Sequence, residues 1–445
     1  MRRIDENYLK LWFTRHDRMP LIIRGARQTG KTTLVRQFAK ENEIQLIEIN
    51  LEKIRLNSLN SSELNLKVLL EEIEYKHNIT LGKKTLIFFD EIQESPKLVE
   101  ALRYFYEDFP ELAIIGAGSL FELVISKEQI TFPVGRVEFY YLTPMTFSEF
   151  LLAMEQDKLE EAVRNLSVKE FMHNDLIEWL KKYFFIGGMP KAILTYKESH
   201  SLHAVREVQE KIIETYKSDF PKYGPRVNYK RLERIFLQAA LQIGEKIILQ
   251  NLDRESKAHS IREAIELLID AMIILPTYHS ECSGLPLNAG TDYSISKLFF
   301  LDVGLMNAIS RLDYDSIGQN FLTKGKVAEQ FVAQHLQSFN GKHIAPELRY
   351  WLRDKAKRNA EVDFVIQKQN KIMPIEVKAE EGGKMKSLLY FCQEKKCQQA
   401  ILLNSLFESH KTIKAKINEN DVEIQIHSLP LYLTESLAKA NTLKN

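Results

Sequence analysis

Past a short polar head, the chain alternates runs of continuous apolar residues with stretches of helical period. Leu21-Ile22-Ile23 is apolar at every position, while Leu34, Val35, Phe38 and Ala39 recur at helical spacing just behind it. A continuous run implies a strand covered on both faces, and the recurrence implies a helix laid against one of them. The scheme repeats. Ile44-Gln45-Leu46-Ile47-Glu48-Ile49-Asn50 alternates as a strand, 68–74 reads as a helix, and Leu86-Ile87-Phe88-Phe89 and Leu112-Ala113-Ile114-Ile115 read as buried strands. Strands separated by helices predict a parallel sheet. Ahead of them Tyr8, Leu9, Leu11, Trp12 and Phe13 form a short amphipathic segment expected to pack on that sheet.

Beyond residue 142 the pattern turns helical. Residues 171–185 keep helical periodicity, Gly187-Gly188-Met189-Pro190 breaks it sharply, and another helix follows. Residues 231–244 and 260–275 read as two long helices around a turn, and 292–300 as a strand. That order is the pattern of a winged helix. Past Gln319 come an amphipathic helix over 325–339, an alternating strand over 359–366, a turn at Gln369-Asn370-Lys371 and a returning strand.

Composition narrows the class. A chain of 445 residues with 44% apolar and 27% charged residues is an ordinary globular protein, long enough for roughly three separate cores. Its 61 basic and 60 acidic residues nearly cancel, so any nucleic-acid surface must be a local patch. Cys282, Cys392 and Cys397 form no pair or metal-like spacing and suit a reducing compartment. The first residues are too polar for a signal peptide, and no apolar run approaches the roughly eighteen residues of a membrane helix. A cytoplasmic location without membrane contact is expected.

Two constellations carry chemistry. The first is Gly25-Ala26-Arg27-Gln28-Thr29-Gly30-Lys31-Thr32, with Thr33 following, set between a strand and a helix. It satisfies the phosphate-loop pattern G-x-x-x-x-G-K-[ST] in its required setting. Glycines let successive N–H groups point at the phosphates of ATP, Lys31 adds charge at the β and γ groups, and the Thr32 hydroxyl would ligate Mg2+. The apolar strand ending in Asp90-Glu91 supplies the rest: Asp90 for Mg2+, Glu91 to polarise the attacking water as base or by orientation. ATP and Mg2+ are therefore the expected cofactors. Ser119, after the next strand, is either a sensor of the γ phosphate or a helix N-cap. Arg136, on a turn before a strand, is either a cation reaching a γ phosphate, in cis or across a boundary between identical subunits, or an exposed surface residue.

The second constellation is distal. Strand alternation puts Glu361 and Asp363 on one face, and a hairpin lays Glu376 and Lys378 against Asp363. Converging carboxylates need a cation or mutual pairing. Asp363 and Glu376, with Glu329 from the upstream helix, would hold Mg2+ while Lys378 orients or deprotonates a water for phosphodiester attack. A salt-bridged strand face without metal is the plain alternative. Two basic clusters could meet a phosphate backbone: Lys222, Arg226, Lys230, Arg231 and Arg234 at the winged helix, and Arg349, Arg353, Lys355, Lys357 and Arg358 before the distal strand.

Acid, twelve residues, then Glu376-Val377-Lys378 is a spacing that resembles the PD-(D/E)XK nuclease core. Over nearly its full length the chain resembles bacterial and archaeal AAA-type ATPases that join a P-loop domain to a C-terminal domain of unknown function with a nuclease-like core. The resemblance rests on the phosphate loop, Phe89-Asp90-Glu91-Ile92-Gln93, Pro133-Val134-Gly135-Arg136-Val137-Glu138, Gly187-Gly188-Met189-Pro190, Lys297-Leu298-Phe299-Phe300-Leu301-Asp302-Val303-Gly304-Leu305, Glu361-Val362-Asp363-Phe364 and Pro374-Ile375-Glu376-Val377-Lys378. Gly116-Ala117-Gly118-Ser119 departs from it, since a run of serines after one glycine is more usual.

The expectation is a multidomain α/β chain: a parallel-sheet, AAA-like P-loop ATPase domain (1–155), a helical connector (156–225), a winged-helix-like domain (226–318) and a restriction-nuclease-like α/β domain (319–445). The function expected is Mg2+-dependent ATP hydrolysis controlling a C-terminal domain directed at DNA or another nucleic acid, in a possible homo-oligomer. The alternative is an ATP-driven binding switch or scaffold with an inert nuclease-like fold. A small-molecule kinase is disfavoured, because Glu91 beside Asp90 suits water activation.

Overall fold

The computed structural model describes residues 1–61, 63–119, 121, 135–223, 228–317, 325–353, 360–378, 385–417 and 420–438. Five strands form the first sheet: β1 (Leu21–Arg24), β2 (Gln45–Asn50), β3 (Thr85–Asp90), β4 (Ala113–Gly118) and β5 (Glu138–Tyr141). Their order is β2-β3-β4-β1-β5, and every pairing is parallel. Helices Lys31–Glu41, Leu66–His77 and Pro96–Asp108 alternate with these strands. Continuous burial along β3 and β4 follows from that cover. The head of the chain forms the helix Glu6–Thr14, whose Leu9 and Trp12 join Leu21, Phe38 and Phe88 in one apolar cluster.

β4 runs on through Gly116 and Gly118 instead of ending at Ile115. A Cβ on Gly116 would lie 2.7 Å from Ile92 Cδ1, and one on Gly118 would lie 2.0 Å from Gln93 Oε1. Both glycines make room for the turn that follows β3, which is why serines do not stand there.

The middle of the chain is helical: Glu170–Ile186, Pro190–Ser199, Leu202–Asp219, Tyr229–Leu241, Leu249–Leu252 and Ala258–Asp270. The last helix ends five residues short of the expected Leu275. Met272 turns the chain at φ 57°, and Pro276 suits a strand better than a helix interior. β6 (Ile274–Ser280) then pairs antiparallel with β7 (Thr291–Phe300).

The next two strands extend the β6–β7 hairpin. β8 (Leu348–Arg353) pairs parallel with β6, and β9 (Ala360–Val362) closes a mixed sheet ordered β7-β6-β8-β9. At Asp363 the chain leaves that sheet. β10 (Phe364–Lys368) starts another, pairing with β11 (Lys371–Val377) across a turn whose Gln369 and Asn370 both have positive φ. The expected single strand is thus split, and Val365 is buried along with Phe364 and Ile366 because β10 is covered on both faces. This third sheet continues β10-β11-β12-β14-β13, with β12 (Gln399–Asn404), β13 (Ser409–Ile417) and β14 (Asn420–Pro430), and the helix Lys386–Lys395 connects β11 to β12.

One buried cluster joins the helical middle to the mixed sheet and to the C-terminal sheet. Phe147 and Phe150 pack with Tyr183, Phe184, Phe300, Phe331 and Leu403 in a single buried cluster. The cluster draws residues from both sides of the boundaries expected after 155 and 318. Among the described residues no helix is long and apolar enough to cross a membrane.

Candidate functional site

The phosphate loop leaves β1 at Arg24 and enters the helix Lys31–Glu41 through Gly30, whose φ of 96° places the helix N-terminus at the loop. Gly25 is required by a close approach, since a Cβ there would sit 2.4 Å from the Leu142 carbonyl. Lys31 Nζ donates to the carbonyls of Gly25 (2.8 Å) and Ala26 (3.0 Å). Burial pushes its pKa down to about 8 against the pull of Glu91 and Asp90. Thr29 is fully buried, donating to Ala26 O, while Gln28 and Thr33 are exposed.

At the tip of β3 the carboxylate of Asp90 accepts the Thr32 hydroxyl at 3.0 Å. Burial, then the neighbouring Glu91, raises its pKa. Glu91 takes a left-handed backbone conformation at φ 54°, and Gln93 Nε2 donates to Glu91 Oε2 at 2.7 Å. A strained residue held by a buried amide is a fixed carboxylate. Thr32 and Asp90 supply the hydroxyl and carboxylate oxygens that Mg2+ favours, side by side, and so fit that ion. Ser119 is buried at the end of β4, in the wall of a cavity that Arg24 and Gly25 also line. The helix expected after it lies, apart from Phe121, outside the described residues.

Arg136 is not brought to this place. It precedes β5, whose Glu138 lies level with Leu21 at the start of β1, whereas the phosphate loop leaves the end of β1. Its guanidinium pairs with Glu107 at 3.0 Å on the exposed surface. In cis, therefore, Arg136 belongs to the edge of the sheet opposite the loop, because a parallel strand carries its two ends to opposite edges.

Residues beyond the motif clamp the loop. Buried Arg3 donates to the Thr29 and Thr143 carbonyls at 3.2 and 2.9 Å and pairs with Asp5 and Glu149. Arg27 pairs with Asp219, and the Tyr216 hydroxyl donates to the Arg27 carbonyl at 2.6 Å. Sequence pattern shows no sign of Arg3, because its partners Thr143 and Glu149 are 140 and 146 residues away. Gln93 stood inside a quoted motif without an assigned role.

The distal acids converge, but not as a metal centre. Among the described residues no three His, Cys, Asp or Glu side chains are arranged to hold an ion. Lys378 Nζ instead pairs with Glu376 Oε1 at 2.7 Å, Asp363 Oδ2 accepts the Val377 N–H at 2.8 Å, and Lys297, from β7, pairs with Glu361. Burial, then Asp363, pushes both Glu329 and Glu376 up to about 8, and burial also raises Asp363. Glu329, Asp363 and Glu376 therefore do not fit Mg2+ in this arrangement: ammonium groups already take up the charge. Lys297 opens one of the quoted motifs, yet nothing local connected it to Glu361.

Among the described residues several members of the two basic clusters are partnered. Arg231 donates to Ser256, Arg234 pairs with Asp253 and Glu255, and Lys222 pairs with Asp219. Arg349 is buried against Glu347 and Asn288, and Arg353 pairs with Glu394. Arg226, Lys355, Lys357 and Arg358 lie outside the described residues. The exposed face of the helix Ala258–Asp270 carries Glu263 and Glu266 besides Arg262.

Comparison with known proteins gives three domain matches. Residues 17–151 match the model of an AAA domain, and residues 177–316 and 324–424 match two domains of unknown function (DUF8612 and DUF4143). No curated protein matches. Among solved structures, a Walker-type ATPase of Pyrococcus abyssi is 16% identical over 70% of this chain and 95% of its own, with a TM-score of 0.45. The ORC2 protein of Aeropyrum pernix, in ADPNP and ADP complexes, is 14% identical over 72% and 95%, at 0.37. The RuvB Holliday junction branch migration motor of Thermotoga maritima is 16% identical over 58% and 82%, at 0.28. The chain thus carries an AAA-type P-loop domain with a parallel sheet, extended by further helical and sheet regions.

Proposed function

We propose that this chain is a Mg2+-dependent ATPase in which the nucleotide held at the phosphate loop controls the C-terminal region. The observation that carries the reading is the meeting of Lys31, Thr32, Asp90 and Glu91 at one end of the parallel sheet, within hydrogen-bonding distance of one another at Thr32 and Asp90. Lys31 and the helix N-terminus bind the triphosphate, Thr32 and Asp90 hold Mg2+, and Glu91, oriented by Gln93, polarises the attacking water. The bound ion supplies positive charge to the phosphate oxygens. Lys31→Ala should abolish ATP binding and turnover, as read by nucleotide titration and phosphate release; wild-type turnover in that variant would overturn the assignment.

Helix, three strands, helix and a parallel strand, in the order Lys326–Leu336, β8, β9 with β10, β11, Lys386–Lys395 and β12, support a nuclease-like C-terminal fold directed at nucleic acid. The helices Tyr229–Leu241 and Ala258–Asp270 with the β6–β7 hairpin support a winged helix beside it. If this region cleaves, Mg2+-dependent or Mn2+-dependent DNA cleavage should vanish in Asp363→Ala or Lys378→Ala. A second reading, an ATP-driven switch that grips a partner through an inert nuclease-like fold, is favoured by the Lys297–Glu361 and Lys378–Glu376 pairs. DNA and RNA left intact with either metal would decide for it.

A further inference from the structure

Lys297 is 1% exposed. A buried ammonium is several kcal/mol unfavourable unless compensated, and this one is compensated from beyond its own hairpin. It pairs with Glu361 on β9 and lies 5.0 Å from the centre of the Tyr350 ring on β8. Asp363 and Glu329 also stabilise its charge, so that it is held above the ordinary lysine value despite burial. Glu361, Asp363 and Glu329 act on it, and Glu376, which Lys378 meets, acts in turn on Asp363 and Glu361. Glu376 is 4% exposed, and its Oε2 has no hydrogen-bond partner among the described residues. That oxygen is an acceptor left over inside the cluster. On the far side Glu329 Oε2 would be 2.6 Å from a Cβ on Gly244, so backbone closes the cluster there.

We propose that Lys297 is a built-in counter-ion, standing in charge for a divalent cation among Glu329, Glu361, Asp363 and Glu376 and closing that cluster to Mg2+ and Mn2+ while β7 and β9 keep their present places. The strand that delivers it precedes the nuclease-like region, so the cluster is complete only when the middle and C-terminal parts are docked. This deepens the second reading above, which it explains: the fold is inert because an ammonium group, supplied by a neighbouring segment, replaces the metal. Cleavage assays test that reading, whereas metal binding tests this one.

Calorimetric titration of the nucleotide-free full chain with Mn2+ alone separates the outcomes. The wild type should show no saturable site at the cluster. Lys297→Met, which keeps the volume and removes the charge, should gain one site on the order of a hundredfold tighter than any wild-type binding. Adding Asp363→Asn should remove it, which separates the cluster from the Asp90 region. Lys297→Gln repeats the test if the Met variant does not fold. A wild-type site that Asp363→Asn abolishes would overturn the proposal. Folded Lys297 variants that gain no Mn2+ site would overturn it as well.

Discussion

His335 Nε2, in the helix Lys326–Leu336, accepts the backbone N–H of Phe147 at 2.9 Å, joining the C-terminal region to the end of the ATPase domain. The same helix reaches the middle region. Gln330 exchanges hydrogen bonds with the backbone of Phe300, and Gln334 meets Tyr183 and the buried carboxylate of Asp302, which also accepts the Gly188 N–H. Glu329, next along, belongs to the acidic cluster. Since a Cβ on Gly30 would touch Pro190 at 3.5 Å, packed groups run from the phosphate loop through Gly188 and Asp302 to this helix. Such a path gives the nucleotide something to act on.

Replacing His335 by Ala leaves the Phe147 N–H buried and unpaired and empties the space beside Phe331 and Tyr183. An orphaned donor and an aromatic cavity each destabilise, and together they should lower unfolding free energy by about 3 kcal/mol. Urea unfolding is the check. A midpoint unchanged from the wild type would refute the contact's importance.

Gly118 tests how Glu91 is held. A methyl there collides with Gln93 Oε1, and Gln93 is the residue whose amide meets Glu91. Gly118→Ala should therefore leave ATP affinity near the wild-type value while turnover falls by about tenfold or more, the expected penalty for a mispositioned base. A fall in affinity with unchanged turnover would mean that Gln93 serves the loop and not Glu91.

Some of this was legible in advance and some was not, for physical reasons. The parallel sheet shows because strands covered on both faces must be apolar throughout, as in Leu86-Ile87-Phe88-Phe89. The loop shows because its backbone demands glycine at fixed spacing. Alternation places Asp363 within one strand, since it cannot reveal a chain changing sheets. Lys297 and Arg3 stayed hidden because their partners Glu361 and Glu149 are 64 and 146 residues away, and no local period encodes such a distance. Charge density is visible in sequence, whereas distant carboxylates that meet it, such as Glu394 beside Arg353 and Asp253 beside Arg234, are not.

Arg136 lies at the edge of the sheet away from the loop, paired with Glu107, and so can reach a phosphate only on another copy of the chain. In dilute solution Arg136→Ala should change turnover by no more than roughly twofold, as befits an exposed ion pair. If copies associate around the nucleotide, the deficit should appear only as protein concentration rises. Equal loss at every concentration would place the arginine in its own chain's site and contradict the geometry.

Two opposed and separable contributions make stability depend on pH. His335 is kept neutral by burial, which pushes its pKa down from 6.5 to about 4. A depressed value means that the unfolded chain takes up a proton first, so its contribution is complete above 6.5 and is lost as pH falls through 4. Glu329 and Glu376 are the reverse case. Raised from 4.5 to about 8, they favour the folded chain fully below 4.5, and that contribution is lost as pH rises through 8. Melting temperatures taken across this range should show both limbs. Glu376→Gln should flatten the alkaline limb alone, because an amide cannot ionise, and His335→Ala should flatten the acid limb alone. An alkaline limb that survives Glu376→Gln and Glu329→Gln together would show that the cluster does not titrate as its burial requires.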